Sequence, residues 1–214
     1  MTKQNILVIG AHSDDQVIGA GAAMAKYAQQ GHRVKTVIFS YGEKTHPHLK
    51  ANIIANIRRK ESQQADKIIG GKGVVFLGLT EWQFEKEYST IEKQLTLLIR
   101  RFKPHKIFTH SIDDGHPDHV AVHKLVANLY DKMRLLCDVY TFDVWTPFNL
   151  KKRNNPWLFV DVSDTFRKKL DALKCFQSQK WHAILILISP VYIRAIYNGL
   201  LNNTQFGEVF YKIR

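Results

Sequence analysis

The chain has 214 residues, with 31 Lys and Arg against 19 Asp and Glu, a formal net charge of +12. Apolar residues make up 45% and charged residues 23%, which excludes a disordered or fibrous chain and suits one domain, residues 1–214, with a real core. Two cysteines, Cys137 and Cys175, exclude a disulfide framework and a cysteine-rich zinc ribbon, so a reduced, cytoplasmic protein is expected.

Met1 to Gly10 holds no basic stretch followed by a long apolar run, so no secretory signal is expected. Asn5–Ile9 reads as a buried strand, and the Ala-rich Val17–Gln30 as a helix stopped by Gly31. Val34–Phe39 is a β-branched strand, Leu49–Ile69 a helix closed by Gly70 and Gly71, and Val74–Leu77 a third strand. Ser89-Thr90-Ile91-Glu92 has capping-box spacing and opens a helix to about Phe102. Lys106–Thr109 is a fourth strand, and Pro117 sits in the first turn of a helix reaching about Met133. Leu136–Val144 and Trp157–Val162 read as further strands. Ser163 caps a helix through about Gln177, and a helix around Trp181–Leu200 precedes a last strand, Val209–Ile213. The apolar stretch from Ala183 is broken by Ser189 and Pro190, and falls short of the roughly 20 residues of a membrane span.

Strands alternating with helices point to an α/β protein with a mostly parallel sheet and right-handed crossovers. Ligands of such sheets gather at the carboxyl ends of the strands. Beyond the first strand lies Gly10-Ala11-His12-Ser13-Asp14-Asp15-Gln16, and beyond the fourth lies Asp113-Asp114-Gly115-His116-Pro117-Asp118-His119. Brought together, these loops offer imidazoles and carboxylates without a thiolate. That set suits a zinc site with two His, one carboxylate and an open water position. Such an ion lowers the pKa of water from ~15.7 toward about 7 and polarises a carbonyl. A nearby carboxylate can then take the water's proton, and a further His can hydrogen-bond the oxyanion or protonate a leaving amine.

Ala11-His12-Ser13-Asp14-Asp15 resembles the AHPDD signature of the PIG-L/LmbE-type zinc-dependent N-acetylglucosaminyl deacetylases, and His116-Pro117-Asp118-His119 resembles their HPDH motif. Arg58-Arg59-Lys60-Glu61 is similar to the family's Arg/Glu-bearing helix, and Phe76-Leu77-Gly78-Leu79-Thr80-Glu81 to its next strand and substrate loop. Lys169, Ala172, Ser178-Gln179 and Gly207-Glu208-Val209-Phe210 match later elements, with the weakest likeness between Lys180 and Asn203. The resemblance implies a Rossmann-like three-layer fold and one Zn2+ held by His12, Asp15 and His119. It implies Asp14 as general base, His116 as electrophile and general acid, and Asp118 as the residue that tunes or orients His116. Arg58 and Glu81 would bind substrate. Ser13 replaces the usual Pro and Gln16 a common acid, changes that remove no proposed ligand or proton carrier.

Other features have plainer readings beside functional ones. His123 reads as a helix-surface or supporting residue rather than a ligand, and Asp113 and Asp114 as turn caps. His46 and His48 are equally a surface turn and a substrate lid. Trp82 and Phe84 suit a sugar-stacking wall or core. Gly19-Ala20-Gly21 does not make a dinucleotide loop, because it lies within a helical run. The basic runs, Arg58-Arg59-Lys60, Arg100-Arg101, Lys151-Lys152-Arg153 and Arg167-Lys168-Lys169, read as solvated faces with no nucleic acid partner.

The sequence thus predicts a hydrolase that removes the N-acetyl group of an N-acetylglucosamine-type sugar or its conjugate, with a small amino-sugar or glycolipid-like substrate. The alternatives are an amidase for another acyl conjugate and a non-catalytic basic module binding nucleic acid or lipid. A homo-oligomer and peripheral membrane contact through Ala183–Ile193 are open, as is burial of that segment.

Overall fold

The computed structural model describes residues 2–43, 50–146 and 153–214. A seven-stranded sheet has β1 (Asn5–Gly10), β2 (Arg33–Ile38), β3 (Val74–Phe76), β4 (Lys106–His110), β5 (Asp138–Phe142), β6 (Trp157–Asp161) and β7 (Gly207–Lys212) in the order β3-β2-β1-β4-β5-β7-β6. β1 to β5 run parallel, and β7 is antiparallel to both β5 and β6. The helices are α1 (Asp15–Gln29), α2 (Ala51–Ile69), α3 (Phe84–Phe102), α4 (Pro117–Met133), α5 (Phe166–Leu173) and α6 (Leu185–Leu201).

Side chains alternate across a strand, and β1 has an apolar residue at every central position, so it is buried on both faces. Ile6 and Val8 join a core with Ala22 of α1, Ala65 of α2, Phe166 of α5 and Val191 of α6. Leu7 and Ile9 join another with Leu95 of α3 and Val122 of α4. Helices on both faces of the sheet give the expected three layers. Asn5 lies opposite Arg33 of β2, and Ile6 opposite Lys106 of β4. The strand order therefore reverses direction across the β1–β4 pair, the point where doubly wound sheets open a crevice at their carboxyl ends.

Several boundaries differ from the sequence expectation: α5 begins after Thr165 rather than at a Ser163 cap and ends at Leu173 instead of about Gln177. α3 starts at Phe84, five residues before the capping-box Ser89, because Phe84 is buried and packs its ring on Phe39 at 5.6 Å. Burial of a whole aromatic outweighs a local capping signal. The segment before α6 is a single 3-10 turn, Gln177–Gln179, followed by a wide π turn, Lys180–Ile184. α6 then buries Leu187, Val191 and Ala195, which settles that one face of this segment is core. Gly19 lies within α1, where a side chain would run into the ring of Phe142, so it serves close helix–sheet packing and no phosphate. Both cysteines are free.

A buried ion pair ties three elements together. Lys169 Nζ of α5 donates to Glu208 Oε1 of β7 at 2.6 Å and to the Ile18 carbonyl of α1 at 2.7 Å. Glu208 Oε2 in turn accepts the Ala23 amide of α1 at 2.8 Å. Every strong partner of the two charges is thus internal, the condition under which a buried pair is tolerated.

Candidate metal centre

The loop after β1 is held in place by its own backbone. The Phe39 amide donates to the Gly10 carbonyl at 3.1 Å and the Ser40 amide to the Ala11 carbonyl at 2.9 Å, extending the β1–β2 ladder past the strand ends. Asp14 then begins α1, its carbonyl accepting the Val17 and Ile18 amides, while its side chain makes no capping hydrogen bond. That carboxylate instead lines a small cavity of ≈ 90 Å³ together with His12, Asp15, Arg58, Glu81 and His116. Gln16, at the position of a common acid, donates to the Ser13 carbonyl at 3.0 Å and so braces the loop that lacks its proline.

One oxygen organises the centre. Asp15 Oδ2 accepts the His12 amide at 2.7 Å and lies 3.4 Å from His12 Nδ1, 3.2 Å from His110 Nε2 and 3.2 Å from His119 Nε2. The structure therefore brings His12, Asp15 and His119 together from loops about a hundred residues apart. Among the described residues two overlapping groups have donor atoms within 4.8 Å of one another: His12, His116 and His119, and Asp15, His110 and His119. His119 is fully buried, and its Nε2 has no hydrogen-bond partner although it faces Asp15.

A divalent cation fits this arrangement. Ligands about 2.1 Å from a tetrahedral ion stand about 3.4 Å apart, close to the spacings around Asp15 Oδ2. The unpartnered Nε2 of His119 would gain a bond, and no thiolate is present to favour a softer metal. The electrostatics agree. Burial alone would lower the pKa of His12, but Asp118 and Asp15 outweigh it and raise the ring to about 10. Burial likewise opposes protonation of His119, yet Asp15 and Asp114 lift it to about 9. Carboxylates that hold two buried imidazoles protonated make a place that calls for positive charge. The cluster is one that can hold a metal ion.

Around it, Asp14 is raised to about 6 by burial and by the adjacent Asp15 charge. Burial would raise Asp15 too, but His119 and His110 hold it well below the usual carboxylate range. His116 starts α4, and its Nδ1 accepts the Asp118 amide at 3.1 Å, which places the ring proton on Nε2. Burial and the neighbouring His12 push it down to about 4, so it stands as a neutral N–H donor.

Asp118 acts on His116 through its charge and its backbone amide, and its carboxylate serves a second ring as well. Its carboxylate meets His12 Nε2 at 3.1 Å and accepts the Trp82 amide at 2.9 Å, and its backbone amide makes the hydrogen bond to His116. Asp118 therefore steadies His12 with its side chain. The tight first turn of α4 turns the carboxylate toward the β1 loop. Glu81 reaches within 3.7 Å of His12 Nε2, and Arg58 is fully buried with its guanidinium on the carbonyls of Tyr41 and Gly42. Trp82 adopts a left-handed backbone, φ 67°, and lays its 60% exposed ring 4.8 Å from that of His116, while Trp145 lines the cavity itself. Phe84 is core.

Two residues escaped the sequence reading. His110, the last residue of β4, stacks on His119 at 3.9 Å, accepts the Ala11 amide on Nε2 at 3.0 Å, and is pushed down to about 4 by burial and His119. Its place at a strand's carboxyl end was the available signal. Asp114 is more than a turn cap: it accepts the amides of Val144 at 2.7 Å and His116 at 3.1 Å while facing His119 Nδ1. Asp113 instead pairs with Arg153 at 3.2 Å. His123 Nδ1 bonds the His110 carbonyl at 2.8 Å and belongs to neither donor group. His46 and His48 lie outside the described residues.

A doubly wound α/β sheet with a histidine–carboxylate cluster at its topological switch defines an α/β protein built around a site able to hold a metal. The chain belongs to the PIG-L family, described as GlcNAc-PI de-N-acetylase, whose profile matches residues 7–130. It is 26% identical to the 4-oxalmesaconate hydratase of Pseudomonas putida over 200 residues, covering 83% of this chain and 75% of the relative. It is 25% identical to the diacetylchitobiose deacetylase of Thermococcus kodakarensis, covering 96% of this chain and 81% of that one. In fold it is similar to the crystal structure of the Pseudomonas putida 4-carboxy-2-hydroxymuconate hydratase, with TM-score 0.83, 22% identity, and 99% and 96% of the two chains covered.

Proposed function

We propose that this protein is a zinc-dependent N-deacetylase acting on an N-acetylglucosamine-type amino sugar or a conjugate of one. The observation that carries the reading is the ≈ 90 Å³ cavity, where the uncapped carboxylate of Asp14 and the N–H of His116 share one small space beside His12 and Asp15. At about 30 Å³ per water, this volume suits an acetyl group and its water, and leaves a sugar ring outside it.

His12, Asp15 and His119 would hold the ion. When bound, zinc supplies a Lewis acid that acidifies water and polarises an amide carbonyl. Asp14, the only acid of the loop without a hydrogen-bonding duty in the cluster, accepts the proton of the attacking water. His116 donates its Nε2–H to the carbonyl oxygen as negative charge develops there. The C–N bond then breaks, and the nitrogen departs as an amine carrying the proton that left the water. Asp118 and Asp114 keep His12 and His119 oriented, and Arg58 and Glu81 offer charge to the hydroxyls of the substrate.

The test is acetate release from N-acetylglucosamine and its glycosides by zinc-loaded protein, with activity lost on chelation and restored by metal. Absence of release from every acetylated amino sugar, with metal bound, would overturn the reading. Similarity to a hydratase over 83% of this chain favours a second reading, water addition to an unsaturated acid. Including 4-oxalmesaconate and other N-acyl conjugates in the same panel, with products weighed by mass spectrometry, separates these chemistries.

A further inference from the structure

The outer face of α6 breaks the usual rule for a surface helix. Such helices turn an apolar stripe inward and charges outward. Here Leu187, Val191 and Ala195 face the core, yet every exposed position except Ser189 is also apolar or aromatic, and none is charged. Leu185, Ile193 and Leu200 are 45%, 49% and 70% exposed, and Trp181, just before the helix, is 75% exposed. A patch this continuous marks an interaction surface rather than scattered exposure.

The surroundings of the patch say what covers it. No acidic residue occurs between Asp171 and Glu208, and Glu208 is buried in its pair with Lys169. Beside the start of α6 lies a groove of ≈ 360 Å³ with an apolar floor of Leu173, Phe176 and Ile188, rimmed by Arg167, Lys174 and Lys180. Asp171 bridges Arg167 at 3.4 Å and Lys174 at 2.7 Å, so the rim keeps three cations against one carboxylate. Apolar side chains flanked by an excess of cations match a layer of hydrocarbon beneath anionic headgroups. Trp and Tyr beside the patch suit the boundary between the two. A second copy of the chain is a poorer fit, because a two-fold contact sets the patch against itself. Lys180 would then face like charge, with no carboxylate on that stretch to offset it.

We propose that α6 and its basic rim dock the protein on the surface of an anionic phospholipid bilayer, lying in the interface without crossing it. Among the described residues no helix is long and apolar enough to span a membrane. Gln179, Ala183 and Leu187 line the metal-site cavity from the inner side of the same segment, so docking brings the cavity close to the bilayer. Docking itself does not depend on the reaction catalysed.

The test is co-sedimentation of the full chain with vesicles of phosphatidylcholine, with and without phosphatidylglycerol. The expected result is binding to the mixed vesicles that weakens in high salt and on omission of phosphatidylglycerol. Lys180→Ala should lower the partition coefficient about fivefold. The triple variant Leu185→Glu, Ile193→Glu, Leu200→Glu should lose binding while its circular dichroism stays that of the parent. The proposal is overturned by absence of binding, by equal binding to neutral vesicles, or by full binding of the triple variant. It is likewise overturned if sedimentation shows a dimer that the triple variant abolishes and that leaves vesicles unbound.

Discussion

Asp114 Oδ1 faces His119 Nδ1 at 2.9 Å, on the side of the ring opposite Asp15. A carboxylate behind a ligating imidazole fixes its tautomer and raises its basicity. Asp114 does so from a rigid seat, because Val144 and Trp145 amides hold its other oxygen at 2.7 and 3.2 Å. Asp114→Asn should therefore weaken zinc binding about 10–100-fold, measured by calorimetric titration of the metal-free protein. An unchanged affinity would mean that His119 is not a ligand.

Asp14→Asn keeps the shape of the side chain and removes its ability to take a proton. Turnover should fall about 10²–10⁴-fold, with the zinc content per chain unchanged. Loss of zinc together with turnover would instead make Asp14 part of the ligand set.

The Lys169–Glu208 pair is predicted to matter more when halved than when absent. Lys169→Met leaves Glu208 charged, buried and holding only the Ala23 amide, at a cost of about 3–5 kcal/mol in chemical denaturation. Adding Glu208→Leu to Lys169→Met should recover much of that loss. A single variant as stable as the parent would show that the charge is solvated.

The C-terminal residues are clamped by Arg214 on Asp131 at 2.8 Å and Lys212 on Asp138 at 2.6 Å. The hydrogen bonds of these basic partners hold both carboxylates below their ordinary range. A carboxyl depressed in the folded state adds stability above its unfolded pKa of ~4 and gives it up as pH falls through the folded value. Protection of the Ile213 amide, which donates to the Val139 carbonyl at 2.8 Å, should thus be constant above about pH 5 and drop in more acidic solution. Protection that does not change down to pH 2 would detach the clamp from the strand.

Much of this site is legible in the chain because its chemistry is local in sequence. Two short loops carry His12, Asp14, Asp15, His116 and His119, and the alternation of strands and helices places both loops at one edge of the sheet. What the sequence hides is pairing across distance. Asp118 stands two residues from His116, yet its carboxylate serves His12, a partner decided by how α4 meets the β1 loop. His110 stands one residue beyond the strand read at Lys106–Thr109, and only the pairing of β4 beside β1 shows that its ring sits against His119. The early start of α3 has the same cause: Phe84 answers to Phe39, which lies forty-five residues away.

The β1–β4 pairing has a further consequence. His12 follows β1 and His119 lies in α4 just beyond β4, and these two strands are neighbours in the sheet although three helices and two strands separate them in the chain. In the unfolded polymer the two rings are far apart, so an ion held by both would gain little from it and would bind the completed sheet. Metal affinity thereby becomes a gauge of assembly. Each tenfold excess of free ion over its dissociation constant would add about 1.4 kcal/mol to the fold, delivered at the central strand pair.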